Sequence, residues 1–391
     1  MNPQPEVAVD VAVFGGGIAG LWCLHVLRRR GYRAVLLEKD ALGAGQTLAS
    51  QGMIHGGQKY RLEDVKSAVA EMPPRWDACL EGRGEADLRG TKVLSDHQVM
   101  WAGGGFLANL AGLAASKVTA GRTRKLEERW EWPHALRPVE GNAYRLEEKV
   151  LDVKSVLAAL KKGHERAVLR GTIRELRVEG GKVVGVDLAE GPRLVAARYV
   201  FAGGAGNEEA ARRLGLGEAA TQRRPLRQFL VRSLWEPLYG HCIGLNRDKP
   251  RVTITAHPIG DDRHVWYLGG GLAEDAAKAP AAEAILRARK EMEEILPHLP
   301  WGDYEWASFA IDRAEPAAGG RLPGRPELLE RGNAALAWPA KMTFAPALAE
   351  KVLAWVEQGG LQPGREDAPL PLAEAPMGLY PWERPLEWRR A

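Results

Sequence analysis

Gly15, Gly17 and Gly20 form a G-x-G-x-x-G run directly after the apolar stretch Val7–Phe14 of this 391-residue chain. In that setting Gly15 allows a tight turn, Gly17 lets backbone N–H groups approach a pyrophosphate, and Gly20 lets the next helix pack close to the strand. Ile18 and Ala19 open that helix, so its N-terminus faces the phosphates. Leu21, Leu24 and Leu27 mark its buried side, Arg28–Arg30 suit its negative end, and Gly31 supplies a stop. A second apolar run, Ala34–Leu37, ends on Glu38 and Lys39, where a carboxylate is placed to accept hydrogen bonds from a ribose. The ligand implied is a dinucleotide, and Glu38 alone does not separate a flavin from a nicotinamide.

The next stretch makes that separation. Gly43–Tyr60 is a long loop of small and polar residues, among them Gln46, Thr47, Ser50, Gln51, Gly52 and Met53, where a nicotinamide enzyme would resume its βαβ rhythm. It resembles the loop by which flavoproteins of the D-amino-acid oxidase and glycine oxidase superfamily pass the FAD pyrophosphate and isoalloxazine. Its second half, Met53-Ile54-His55-Gly56-Gly57-Gln58-Lys59-Tyr60, is similar to the signature of FAD-dependent glycerol-3-phosphate dehydrogenases. The resemblance implies an α/β fold: a Rossmann-type, glutathione-reductase-like FAD-binding domain with a second, mostly antiparallel β substrate domain. It also implies that His55, Lys59 and Tyr60 lie beside the substrate, although His55 reads equally as an ordinary loop histidine. Lys59 stands where the glycerophosphate enzymes carry arginine, and the chain has no room for their extra C-terminal helical domain; both facts weigh against glycerol 3-phosphate as substrate.

The far end of the chain carries a second chemical cluster. Phe309–Pro316 reads as a strand that brings Arg313 back towards the flavin, where its planar fork suits a carboxylate or phosphate; an ion pair with Asp312 or Glu315 is the alternative. Lys341-Met342-Thr343 precedes a helix with the apolar stripe Ala345, Leu348, Ala349, Val352, Leu353 and Val356. Thr343 reads as its N-cap, and Pro346 is tolerated in the first turn. The glycerophosphate dehydrogenases carry a similar Lys-Leu-Thr here. A helix N-terminus plus the Lys341 ammonium would stabilise the negative charge of a reduced flavin.

Between these ends the chain supplies connecting pieces. Arg61–Cys79 has helical spacing interrupted at Pro73-Pro74, and Leu88–Trp101 holds short strands. Gly103–Gly105 reads as a connection, and Glu127–Tyr144 as peripheral to the substrate lobe. Asp152 is placed to cap a helix, and Gly180-Gly181 to turn a hairpin. By resemblance, Val168 lies near the adenine and Ala202-Gly203-Gly204 close over the FAD. Strand-like runs from Arg224 to Leu268 predict an antiparallel wall, with Ala281–Leu296 an amphipathic helix and His257 a strand-end histidine. The expected division is an FAD-binding domain from 1–85, 150–215 and 305–362, a substrate domain from 86–149 and 216–304, and a tail, 363–391, packed on the protein's own surface.

Bulk properties bound the class. The chain is 45% hydrophobic and 27% charged, without an apolar run of about 18 residues that could span a bilayer. The N-terminus lacks the pattern of a secretory leader, so a cytoplasmic protein is expected. Cys23, Cys79 and Cys242 are too few and scattered for a disulfide framework or a metal cluster, and none matches a flavin linkage position, so non-covalent FAD and no metal are expected. A net charge of +4, spread along the chain, does not call for nucleic acid. The reading is a monomeric FAD-dependent oxidoreductase taking a hydride from carbon next to an amine in a small anionic substrate, with oxygen or a quinone as electron acceptor. A hydroxy-acid or polyol-phosphate dehydrogenase and a non-catalytic FAD-binding protein are the alternatives.

Overall fold

The computed structural model describes residues 5–56, 69–102, 123–217, 220–244, 249–321, 323–364 and 370–390. Lys59, Tyr60, Gly103–Gly105 and the first part of the expected 61–79 helix lie outside the described residues. The chain opens with β1 (Glu6–Phe14), α1 (Ile18–Arg29) and β2 (Ala34–Glu38). After α2 (Met72–Leu80) come β3 (Val93–Ser95), β4 (Gln98–Ala102), β5 (Thr123–Leu126) and β6 (Ala143–Leu146), then β7 (Val150–Leu151) and α3 (Val153–Lys161). Next follow β8 (Val168–Arg170), β9 (Ile173–Glu179), β10 (Lys182–Leu188), β11 (Arg193–Phe201) and α4 (Asn207–Arg213). The second half holds β12 (Thr221–Leu234), β13 (Gly240–Ile243), β14 (Val252–Gly260), β15 (Arg263–Gly269), α5 (Gly271–Asp275) and α6 (Ala281–Ile295). It ends with β16 (Glu305–Pro316), β17 (Glu327–Arg331), β18 (Ala334–Trp338), α7 (Ala345–Gln358) and β19 (Arg389–Arg390).

β1 is apolar on both faces because both are covered. It lies between β11 and β2 in the parallel core of an eight-stranded sheet ordered β17-β18-β11-β1-β2-β8, which the β9–β10 hairpin extends. Val11 and Val13 pack with α1, α3 and α7, whereas Ala12 and Phe14 join Val35, Leu37, Tyr199 and Phe201 on the opposite side. Two-sided burial is what turns a parallel strand into a near-continuous apolar run.

The other sheet has nine strands in the order β19-β16-β12-β15-β14-β13-β4-β6-β5, antiparallel except for the β13–β4 pair. One face buries Trp101, Phe229, Val231, Ile254, Trp266 and Leu268 against α6. Strand alternation puts the intervening residues, Gln98, Gln228, His241, Thr253 and Tyr267, on the opposite face. That face meets the first layer: Gln51 Nε2 donates to the carbonyls of Thr253 (3.0 Å) and Tyr267 (2.9 Å), and the Tyr267 hydroxyl donates to the Ala49 carbonyl (2.5 Å).

Several sequence expectations hold here. Asp152 Oδ1 accepts the Ser155 N–H (2.8 Å) at the start of α3, Gly180-Gly181 joins β9 to β10, and the tail seats itself on the protein. In the tail Tyr380 donates to Asp152 Oδ2 (2.9 Å), Trp382 lies 4.4 Å from the His257 ring, and β19 pairs with β16. The expected break beside Pro73-Pro74 is there too: helical Val69 and Ala70 give way to a turn at Glu71, and α2 opens with both prolines in its first turn, where a missing N–H goes unnoticed. Others need correction. The 127–144 stretch is not peripheral, since Trp132, Leu136 and Val139 enter the core beneath the nine-stranded sheet. His257 is buried within β14 under Trp382, turned towards the tail. β16, grouped by sequence with the 305–362 cofactor segment, is a strand of the nine-stranded sheet. No described helix is long and apolar enough to cross a membrane.

The closeness of α1 to the glycine turn generates a stability prediction. A Cβ on Gly20 would lie 1.9 Å from the Gly15 carbonyl oxygen, a contact that backbone must move to relieve. Gly20→Ala is expected to lower the unfolding free energy by at least about 2 kcal/mol, measured by urea denaturation.

Candidate active site

The glycine turn and its remote partners meet at one place. Gly15 has φ +111°, and a Cβ there would sit 2.6 Å from the Ala202 carbonyl oxygen and 2.7 Å from Gly203 Cα, so the ends of β1 and β11 touch. Gly17 is the N-cap of α1, and the Ile18 N–H donates to Thr47 Oγ1 (3.1 Å). Gly204 reaches Gln46: its missing Cβ would lie 3.2 Å from Gln46 Nε2. Glu38 Oε2 accepts the Gly16 N–H at 2.6 Å and Oε1 the Asp40 N–H at 2.9 Å, which holds the carboxylate against the turn. Val168 is buried in β8, paired with Leu36 of β2. Lys39 turns outward, 3.7 Å from Asp40 in solvent. Side-chain-free backbone at a helix N-terminus, beside an anchored carboxylate, fits a dinucleotide such as FAD.

The loop after Thr47 then meets the segment before α7. Ser50 Oγ donates to Met342 Sδ (3.6 Å), and the His55 N–H donates to Thr343 Oγ1 (3.1 Å) across 288 residues. Gly52 has φ +67°, and a Cβ on it would strike the Leu151 carbonyl oxygen at 2.3 Å. Met53 is buried and bridges to Val150. Thr343 is therefore not the expected N-cap: Met342–Phe344 form a single 3₁₀ turn, Phe344 precedes α7, and the hydroxyl of Thr343 serves the His55 backbone instead. Pro346 does fall in the first turn of α7. Ala340, just before Lys341, has φ +59°, a left-handed backbone unusual for a residue with a side chain.

Lys341 and Arg313 come together at this junction. Burial first, and the Arg313 charge second, push the Lys341 ammonium down from its ordinary 10.5 to about 8, with Glu315 pulling the other way. Glu315 is itself committed, because Arg224 Nε and Nη2 grip its two oxygens at 2.7 and 2.8 Å. Arg313 pairs with neither Asp312 nor Glu315, the two partners its sequence context offered. Its Nη1 lies 3.8 Å from Glu274 Oε1, and Glu274 also receives Lys249. Among the described residues, Lys341, Arg313 and Arg224 gather around Glu315 and Glu274, and Lys249 also reaches Glu274, a concentration of positive charge that suits an anion.

A third cluster was not visible in sequence. Glu148 is buried between the two layers, accepting the Gly56 N–H at Oε1 (2.6 Å) and lying 3.5 Å from His55 Nδ1 through Oε2. The His55 and His241 ring centres are 5.9 Å apart. His241 is held at both nitrogens, by Thr253 Oγ1 (2.9 Å) and Gln98 Oε1 (2.9 Å). Ligand-type atoms of His55, Glu148 and His241 lie within 4.8 Å of one another, the spacing of a loose metal set. With His241 engaged at both nitrogens and Glu148 accepting a backbone N–H, the arrangement is that of a hydrogen-bonded cluster. Glu148 hides in the charged run Glu147-Glu148-Lys149, and His241 in a four-residue strand, so neither carried a sequence signal. All three cysteines are free and buried, and burial raises the Cys23 and Cys79 thiols to about 12.

Comparison with known proteins agrees with this geometry. Residues 10–354 match the family model described as FAD dependent oxidoreductase (DAO). The "Probable FAD-dependent oxidoreductase PA4991" of Pseudomonas aeruginosa is 40% identical over 390 residues, covering 97% of this chain and 99% of that protein. Its crystal structure superposes with a TM-score of 0.84 over 97% of this chain and 99% of that one, at 38% identity. Glycine oxidase from Geobacillus kaustophilus shares the fold, with a TM-score of 0.67 and 18% identity over 92% of this chain and 100% of that one. A glycerol-3-phosphate dehydrogenase of Pseudomonas tolaasii is 40% identical over a 75-residue stretch, 18% of this chain and 15% of that protein.

The lowered Lys341 ammonium sets a pH dependence. Anion binding that needs the protonated amine is fully present below about 8 and fades as the pH rises through that value. A carboxylate such as acetate, titrated against the visible spectrum of the purified protein, is expected to bind about tenfold more weakly at pH 9 than at pH 7. Lys341→Met should flatten that difference.

Proposed function

Because the chain belongs to the FAD dependent oxidoreductase family, we propose that it removes a hydride from carbon bearing an amine in a small anionic substrate, with FAD held non-covalently. The observation that carries this reading is the meeting of Lys341 and Arg313 beside the Ser50–His55 loop, two cations whose local carboxylates are shared with Arg224 and Lys249. Bound FAD supplies the hydride-accepting chemistry. Gly15, Gly17, Ile18, Thr47, Glu38 and Ala202–Gly204 would hold its nucleotide end, and Ser50–Met53 with Lys341–Thr343 its ring end. Arg313 takes the substrate's anionic group in a two-point contact. Lys341, at the start of the 3₁₀ turn, offsets negative charge on the pyrimidine side. His55 accepts the N–H proton that must leave as an amine becomes an imine.

The second reading, oxidation of a hydroxyl in a hydroxy acid or polyol phosphate, is favoured by His55 with its buried carboxylate neighbour, since a hydroxyl needs a base more than an amine does. Electrons then pass to oxygen or a quinone. Buried free thiols fit a reducing, cytoplasmic setting, and a monomer is the default assembly.

The test is an anaerobic screen of amino acids, N-methyl amino acids, hydroxy acids and polyol phosphates against the purified yellow protein. Bleaching of the flavin by amino compounds supports the first reading, bleaching only by hydroxy compounds the second, and no bleaching refutes turnover of all four classes. Lys341→Met is expected to lower the flavin's two-electron potential by roughly 30 mV, equivalent to about 1.4 kcal/mol, read by dye equilibration. An unchanged potential removes the role given to Lys341.

A further inference from the structure

Glu147 and Glu148 are neighbours in a run that reads as solvated charge, yet they end in opposite environments. The Glu147 side chain is 50% exposed and pairs with Arg145, whereas Glu148 is 2% exposed. Burying a carboxylate is costly unless its oxygens are matched by donors. The donors here belong to one place: Oε1 takes the N–H of Gly56, and Oε2 faces Nδ1 of His55. The His55 N–H is in turn held by Thr343. His55 is therefore fixed at its own N–H, at the next N–H along and at one ring nitrogen, a degree of control that a plain loop histidine does not need.

We propose that Glu148 is a positioning residue that sets the tautomer and orientation of His55, and this rests on the reading of His55 as proton acceptor given above. A carboxylate beside Nδ1 favours the proton on that nitrogen and leaves Nε2, on the other edge of the ring, as the basic atom. When a substrate N–H or O–H proton moves to Nε2 and the C–H bonding pair leaves as hydride to FAD, the imidazolium that forms sits beside a fixed negative charge. Glu148 neither gains nor loses a proton in this step. The 3.5 Å separation is long for a hydrogen bond, as such pairs often are before substrate closes the site. His241 bounds the cluster from β13, and because Thr253 and Gln98 hold both its nitrogens it acts as a wall that keeps the His55 ring from swinging away from Glu148.

The experiment uses FAD-loaded full-length protein with ¹⁵N-labelled histidine, the His55 ring signals being assigned by their loss in His55→Gln. The wild type should show His55 protonated at Nδ1, and Glu148→Gln should move the ring towards the other tautomer. Anaerobic flavin reduction by whichever screened compound bleaches the wild type should slow by about 10- to 100-fold in Glu148→Gln, with substrate affinity and flavin content within twofold, and Glu148→Asp should recover at least part of the rate. Nε2 protonation in the wild type, or ring signals unmoved in Glu148→Gln, would overturn the assignment. So would a slowing that merely follows lost flavin and is not relieved by Glu148→Asp. The tautomer is read without turnover, so a failed substrate screen refutes the proposed reaction while leaving the role of Glu148 separately decided.

Discussion

A buried stretch without regular secondary structure must find partners for its backbone polar groups elsewhere, and the Thr47–Gly56 loop does so from every side. Its Ile54 N–H donates to the Lys149 carbonyl, His55 to Thr343 and Gly56 to Glu148, while the Ala49 carbonyl accepts the Tyr267 hydroxyl. Thr47 returns the favour by accepting the first N–H of α1. Leaving one such group unmatched costs about 1–3 kcal/mol, so these contacts are conditions for the fold as well as ornaments of the site. They fix the two sheets relative to each other, because partners come from the β6–β7 turn, from β15 and from the segment before α7.

Electrostatics divides the candidate site into two ends. At one end the carboxylate of Glu38 is drawn onto the glycine turn, and the N-terminus of α1 offers positive character. At the other end Lys341, Arg313 and Arg224 gather around Glu315 and Glu274, and burial first, with the Arg313 charge second, depresses the Lys341 ammonium.

Long, periodic or locally patterned features were legible in the sequence. The β1–α1–β2 unit, the hairpin at Gly180-Gly181, the helix capped by Asp152 and the strands around Arg227–Val231 each follow from short-range spacing. Thr343 shows the limit. A threonine before an amphipathic helix is a sound cap by local rules, but a backbone N–H from His55 competes for the same hydroxyl, and the 3₁₀ turn shifts the helix start to Ala345. Arg313 shows it again, since its acidic neighbours Asp312 and Glu315 are taken by Arg223 and Arg224 from the adjoining strand.

By itself the sequence determined that a strand, a glycine turn and a helix would follow one another and leave backbone N–H groups presented at the helix N-terminus, because that arrangement depends on residues within one turn of each other. It also determined which residues would be apolar on two faces, and hence that a parallel core exists. Only the tertiary structure decided that Glu148 would be buried while Glu147 stays in water, and that His55, Thr343 and His241 would meet. Nothing in the local pattern of a charged run tells which carboxylate lies between two layers; that depends on how the layers stack, which is set by contacts hundreds of residues apart.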